Sequence, residues 1–281
     1  MAAIQVQDLR KAYGAVEAVA GVSFEVAEGE CFALLGPNGA GKTTTLEVLE
    51  GYRSRSGGSV EVLGFDPEHG GRDLRERIGI VLQSAGIDRE LTVAELVGLA
   101  SKRHTRSRTL SGGQQRRLDL ALGIVGDPDL IFLDEPTTGF DPSARRHAWE
   151  LVDSLRALGK TILLTTHYMD EAQSLADRVA IMTDGRIVAA GSPASLGGRD
   201  VAEAEISFRL PDGSGLDDLP ALGPARPRLQ DGRVVLRTGS PTGALHTLTG
   251  WALSRGDELE ALAVTRPSLE DVYLRLTGGD R

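Results

Sequence analysis

Nine consecutive residues, Gly36-Pro37-Asn38-Gly39-Ala40-Gly41-Lys42-Thr43-Thr44, carry the clearest chemistry in the chain. Their spacing is G-x-x-x-x-G-K-T. They follow a compact apolar run, Cys31 to Leu35, that reads as a strand, and lead into Thr43 to Glu50, which reads as a helix. Glycines let the loop's backbone N–H groups curl around a polyphosphate, which a Cβ would obstruct. The helix that follows points its partly positive N-terminus at the same anion. Lys42 then reaches the terminal phosphates, and the Thr43 hydroxyl is offered to Mg²⁺. Without the flanking strand and helix the same spacing would describe only a tight glycine turn.

Further positions fit the same chemistry. Leu130-Ile131-Phe132-Leu133 reads as a buried strand ending in Asp134-Glu135. Beside a phosphate loop, Asp134 can hold Mg²⁺ directly or through water, and Glu135 can orient or deprotonate an attacking water. Ser111-Gly112-Gly113-Gln114 opens another helix, so a hydroxyl and glycine N–H groups make a second anion site. Gln83 ends one short strand and His167 another. Taken singly, Gln83 is a loop amide, His167 a structural histidine and Tyr13 an ordinary aromatic; only order and context give them roles.

The elements that must position these residues alternate. Residues 4–9, 22–27 and 59–63 alternate apolar and polar, as half-buried strands do, and make an antiparallel layer. Beyond them, strands at 78–82, 130–133, 161–166 and 179–182 alternate with helices at 73–77, 92–99, 113–125, 143–158 and 169–176. Residues 186–190 close a hairpin across Asp184-Gly185. The fold class is α/β, a P-loop NTPase core with a largely parallel central sheet and an antiparallel β subdomain.

Composition sets bounds. The chain has 281 residues, 41% apolar, with a formal net charge of -9. That balance argues against a general affinity for nucleic acid or anionic lipid, and no nucleic-acid partner is expected. Cys31 is the one cysteine, so no intrachain disulfide can form, and its apolar strand predicts a buried, inert thiol. No apolar run reaches the ~18 residues of a membrane span. The expected location is cytoplasmic, with any membrane role exerted through a partner.

The ordered set resembles the nucleotide-binding subunit of an ATP-binding cassette (ABC) transporter over residues 1 to about 195. LSGGQ at 110–114 matches the family's signature motif, GPNGAGKTT its phosphate loop and LIFLDEP its second acidic motif. Gln83 matches the Q-loop and His167 the switch histidine. Gly139-Phe140-Asp141 stands where the D-loop belongs, with Phe140 in place of a more usual Leu. Tyr13 stands where an aromatic stacks on adenine. The resemblance implies ATP and Mg²⁺ as ligands, and a head-to-tail dimer with a second nucleotide-binding subunit whose Ser111 to Gly113 closes the partner's ATP site. It also implies that Glu135 activates water, that His167 positions it, and that Gln83 senses Mg²⁺ and relays the state to an integral membrane subunit. The chain would then sit on the cytoplasmic face of the membrane and power export of a small molecule.

Two features qualify that picture. The segment from Gln83 to Ser111 is short for the family, which implies a shortened helical subdomain; its basic run 102–108 reads as a solvated loop. After Gly197-Gly198-Arg199-Asp200 the composition changes. An ATP-binding domain over 1–196 and a small C-terminal α+β domain over 201–281 are expected, with strands at 203–210, 232–238 and 258–264, helices at 242–255 and 268–276, and Trp251 as core anchor. The tail, Pro267 to Thr277, resembles the C-terminal extension of daunorubicin-resistance-type exporter ATPases. Two other readings stay open: a soluble ABC ATPase acting on ribosomes or DNA, and a regulatory module that binds nucleotide with weak turnover.

Overall fold

The chain opens on two long antiparallel strands, β1 (Ala2–Tyr13) and β2 (Val16–Ala27), whose inward residues alternate with exposed ones. The computed structural model describes residues 1–81, 126–199, 202–211 and 213–277. The expectations for helices at 92–99 and 113–125, the basic run 102–108, and Gln83, Ser111, Gly112, Gly113 and Gln114 fall outside the described residues. Two compact units divide the chain, Met1–Pro193 and Ala194–Arg281.

In the first unit, β4 (Gly57–Val62) joins β1 on its other edge, giving a three-stranded antiparallel sheet in the order β2-β1-β4. The second sheet holds β3 (Cys31–Leu35), β5 (Ile78–Val81), β6 (Leu130–Asp134), β7 (Thr161–Thr166), β8 (Arg178–Thr183) and β9 (Arg186–Gly191) in the order β5-β6-β7-β3-β8-β9. It is parallel except for β9, which turns back along β8. Every residue of β3, β6 and β7 is buried. That is why they read as unbroken apolar runs: a parallel sheet covered on both faces has no solvent side to encode.

The helix α1 (Lys42–Leu49) packs between the two sheets. Its Leu46, Val48 and Leu49 share one core with Ile4, Val6 and Leu9 of β1 and with Phe32, Phe132 and Leu163 of the parallel sheet. Phe24 of β2 stacks on Phe32 of β3 at 5.1 Å between ring centroids. The helix that carries the lysine of the phosphate loop is thus held by apolar contact on two sides. Further helices are α2 (Gly71–Arg75), α3 (Pro142–Ala157) and α4 (Met169–Leu175).

In the second unit, β10 (Ala204–Phe208), β11 (Arg228–Gln230), β12 (Arg233–Thr238) and β13 (Ala263–Thr265) form an antiparallel sheet in the order β11-β12-β10-β13. The helices are α5 (Pro241–Arg255) and α6 (Leu269–Thr277). Ile206, Phe208, Val234, Leu236, Ala244 and Leu248 make the core. Three details depart from the sequence reading. Trp251 is only half-buried, flanked by the Arg255 guanidinium 5.3 Å from its ring, and Phe208 is the large fully buried side chain instead. The strand expected at 258–264 is reduced to β13, because residues 258–262 lead through Ala261 with φ 51, a left-handed turn conformation. β11 was not expected, since all three of its residues are exposed and show no alternation.

Candidate functional site

β3 delivers the chain into the phosphate loop, and the loop is fixed from behind. Gly36 donates its N–H to Thr166 O at 3.2 Å, and Gly185, in the β8–β9 turn, donates to Ala40 O at 3.1 Å. A Cβ on Gly36 would lie 2.2 Å from Met182 O, and one on Gly41 2.4 Å from Ala18 O. So these two glycines answer to the scaffold behind the loop, not only to the ligand side as the spacing suggests. Gly39 differs: its surroundings are open, and its φ of 84 is what favours glycine. Pro37, Asn38, Gly39 and Thr43 are exposed, Thr44 is half-buried, and Gly36, Ala40 and Lys42 are buried. Gly41 stands at the N-cap of α1 and contributes no side-chain hydrogen bond there, so the first-turn N–H groups are left to an outside acceptor.

Lys42 folds back over the loop. Its Nζ donates to Gly36 O at 2.8 Å and Pro37 O at 3.1 Å, and lies 3.6 Å from Glu135 Oε1. Burial lowers its pKa, and the Glu135 and Asp134 carboxylates act against that shift. The Thr43 hydroxyl is 3.3 Å from both carboxylate oxygens of Asp134, and Thr165 of β7 donates to Asp134 Oδ1. Thr43 and Asp134 therefore present hard oxygen donors side by side, the donor chemistry that suits Mg²⁺ shared with phosphates and water.

Glu135 leaves β6 with φ 44, outside the region favoured by a non-glycine residue, at a cost of ~1 kcal/mol or more. Its N–H is held by Thr165 O and Thr165 Oγ1, both at 3.1 Å. Its Oε2 accepts from the Thr138 hydroxyl at 3.1 Å and lies 3.3 Å from His167 Nδ1. The structure thus brings Lys42, Thr43, Asp134, Glu135 and His167 together from two strand ends and one helix start. A carboxylate placed between an imidazole and an ammonium group can accept a proton from water while the neighbouring cation steadies a phosphate.

Tyr13 stands at the far end of β1, 42% exposed, with Lys11 Nζ 5.1 Å and Arg53 Cζ 5.6 Å from its ring centroid. An accessible aromatic face flanked by two cations suits a nucleotide base and its attached charge. Asp141 caps α3, accepting from Ser143 N at 2.9 Å and Ala144 N at 2.8 Å. Sequence reasoning missed the threonines. Thr138 and Thr165 hold the two carboxylates in place; the signal was a polar Thr165-Thr166 pair closing an otherwise apolar strand.

Comparison with known proteins identifies the family. The family model described as ABC transporter matches residues 19–138, and one described as the C-terminal domain of ABC transporter domain-containing protein-like chains matches 204–268. The Nod factor export ATP-binding protein I of Paraburkholderia xenovorans is 39% identical over an alignment 304 positions long, covering 99% of this chain and 97% of the relative. Its counterpart in Rhizobium johnstonii is 38% identical, covering 98% and 95%. Among solved structures, cbiO1 of Clostridium perfringens, described as part of the ABC transporter complex cbiONQ, has a TM-score of 0.62 at 27% identity, covering 69% of this chain and 90% of that one. An ATP-binding cassette solved in its ADP conformation has the same score at 23% identity, over 68% and 91%, and shows the fold alone. With the phosphate loop, the Asp134-Glu135 strand end and near-full-length relatives all in place, the chain belongs to the ATP-binding proteins of ABC transporters and is an ATPase.

Proposed function

We propose that the chain hydrolyses ATP to drive export of a small molecule through a separate membrane-spanning partner. The observation that carries the catalytic half is the arrangement of Glu135 between His167 and Lys42 at the mouth of the phosphate loop. In this reading Gly36 to Thr44 hold the ATP phosphates, with Lys42 turning from its loop carbonyls towards them, and Tyr13 stacks on the base. Thr43 and Asp134 would hold Mg²⁺, with Gln83 as a further ligand. The ion, when bound, offsets negative charge on the phosphates. Glu135 takes the proton from the attacking water, and His167 holds that water against the terminal phosphate.

The export half rests on the relatives' shared name, which describes export of a Nod factor. Among the described residues no helix is long and apolar enough to cross a membrane, so a transport role calls for a membrane-spanning partner and a place on the cytoplasmic face. A second copy is also proposed, its Ser111, Gly112, Gly113 and Gln114 closing the ATP site head to tail; solved cassettes of the same fold are described as dimeric. A net charge of -9 opposes that approach, so the dimer should need nucleotide to bridge it. The ATP-binding part is proposed to lie within 1–196 and the accessory domain within 201–281.

The test is reconstitution in vesicles with a candidate membrane-spanning subunit, any that is encoded next to this chain being the first to try. ATP-dependent efflux that disappears with Lys42→Ala, while the variant stays folded and loses MgATP affinity, is the expected result. Turnover stimulated by ribosomes or DNA and indifferent to the membrane protein would overturn the export reading. Binding without hydrolysis would overturn the catalytic one.

A further inference from the structure

His167 Nδ1 is buried 3.3 Å from Glu135 Oε2, yet it makes no hydrogen bond among the described residues. The approach of these two groups is therefore not fixed by an aligned bond, and the imidazole needs another restraint. The next residue supplies one. The Tyr168 ring lies against the His167 ring, with 4.1 Å between centroids and a tilt of 41°. Tyr168 N donates to Thr166 Oγ1 at 2.9 Å, which sets the backbone of this turn at the end of β7. The Arg145 guanidinium stands over the Tyr168 ring, its Cζ 4.3 Å from the centroid. Arg145 belongs to the first turn of α3, the helix reached from Glu135 through residues 136–141, and its Nη1 donates to Asp170 Oδ2 of α4 at 3.1 Å. Arg145 Nε is buried without a hydrogen-bond partner among the described residues, so the ring face, and not full pairing of its donors, accounts for where the guanidinium sits.

We propose that Tyr168, backed by Arg145, is a positioning residue for hydrolysis, whose ring holds the His167 imidazole turned towards Glu135. This rests on the role proposed above for His167. A histidine side chain turns about two torsions, and a ring free in both is seldom aimed at the attacking water. Contact with a second ring confines it, and a cation over that second ring confines the tyrosine in turn. The Arg145–Asp170 ion pair is partly exposed and adds little stability of its own, so its use here is to keep the guanidinium over the ring. The segment that leaves Glu135 and the strand end that carries His167 are thereby joined through side chains as well as through the sheet.

The test measures kcat, KM and MgATP affinity for Tyr168→Leu, Tyr168→Phe and Arg145→Gln, and repeats Tyr168→Leu in a His167→Ala background. Tyr168→Leu should lower kcat by ~10-fold, with KM and affinity within about two-fold of wild type, as loss of alignment without loss of binding does. Tyr168→Phe keeps the ring and both of its contacts, so it should retain the rate. Arg145→Gln leaves the ring in place and should lower kcat by ~2–5-fold, the share of a partly exposed cation–π contact. It also carries the test should Tyr168→Leu not fold. In the His167→Ala background Tyr168→Leu should cost almost nothing more, because residues acting as a unit are not additive. Wild-type kcat in Arg145→Gln or Tyr168→Leu, losses that multiply in the double variant, or a Tyr168→Phe as slow as Tyr168→Leu would overturn the positioning role alone. Wild-type turnover by His167→Ala would instead overturn the role of His167, and that of Tyr168 with it.

Discussion

The two sheets that open at β3 and β10 solve different problems with similar materials. In the first unit, seven of the eleven buried polar side chains among the described residues gather where the parallel strands end: Lys42, Asp134, Glu135, Thr137, Thr165, Thr166 and Glu171. In the second, Thr238 alone is both polar and buried among the described residues, and the core alternates plainly along β10 and β12. Parallel strands all end on the same side, so the loops and helix starts that follow them converge there, and charges can be held by several elements at once. An antiparallel sheet scatters its turns to both ends and offers no such focus. Buried charge costs free energy, and most of it lies where several elements converge to hold it, with Glu30 and Glu50 as exceptions.

The largest expected effect tests that focus. Glu135→Gln keeps the shape of the side chain but cannot take a proton, so hydrolysis should fall by ~10²–10⁴-fold with MgATP binding retained. Single-turnover assays decide it; a rate within a few-fold of wild type would remove Glu135 as the base. Next comes the other unit. Phe208→Ala should cost ~3–5 kcal/mol of the second unit's stability, as loss of a fully buried aromatic does, and leave MgATP binding unchanged. Each unit holds one of the two tryptophans, Trp149 and Trp251, so fluorescence of single-tryptophan variants in urea follows them separately. If the Trp149 transition moved with Phe208→Ala, the units would not be energetically distinct.

The third effect depends on pH. Burial, reinforced by Asp134 and Glu47, pushes the Glu50 carboxyl up to about 8 from its ordinary 4.5. A native pKa above the unfolded one means the folded chain binds more protons between those values. Stability from this group is therefore fully present below pH 4.5 and is lost as pH rises through about 8. Glu50→Gln should flatten that decline and stabilise the first unit at pH 9 by roughly 2–4 kcal/mol. Urea midpoints of the Trp149 signal measured from pH 5 to 9 check this; parallel curves for wild type and variant would contradict it. The smallest effect belongs to Trp251. It is half-buried, so Trp251→Ala should cost only ~1 kcal/mol by circular dichroism, well below Phe208→Ala.

The contrast also explains what could be read from the sequence. The apolar runs at 31–35, 130–133 and 161–166 stood out because strands buried on both faces leave no alternation to misjudge. The phosphate loop was legible for the same reason, its glycines and Lys42 being set between unmistakable elements. Along β1 the reading stopped at residue 9, since Arg10 and Lys11 hide a strand that continues to Tyr13 with bulges on the way. In the second unit, size misled: Trp251 looked like an anchor, but the buried face of α5 is set by Ala244, Leu248 and Ala252. The β11–β12 hairpin did leave a signal in Asp231-Gly232, with φ values of 49 and 74. Thr138 and Thr165 left almost none, because each acts through a neighbour that only the folded chain supplies.

One consequence follows from the packing behind the phosphate loop. Ala40 O accepts from Gly185 N, and Gly185 O in turn accepts from Ala20 N at 2.8 Å, so a single residue bridges the loop and the antiparallel sheet. Gly36 and Gly41 meet backbone oxygens on that same side. The cradle is therefore largely assembled before nucleotide arrives, and association need not meet the entropy of ordering a loose segment, which runs to ~1–2 kcal/mol per residue. The amides of Gly185 and Ala20 should exchange with deuterium slowly even without ligand, and added ATP should slow them little further. Diffusional encounter, more than loop closure, would then set how fast this half of the site fills.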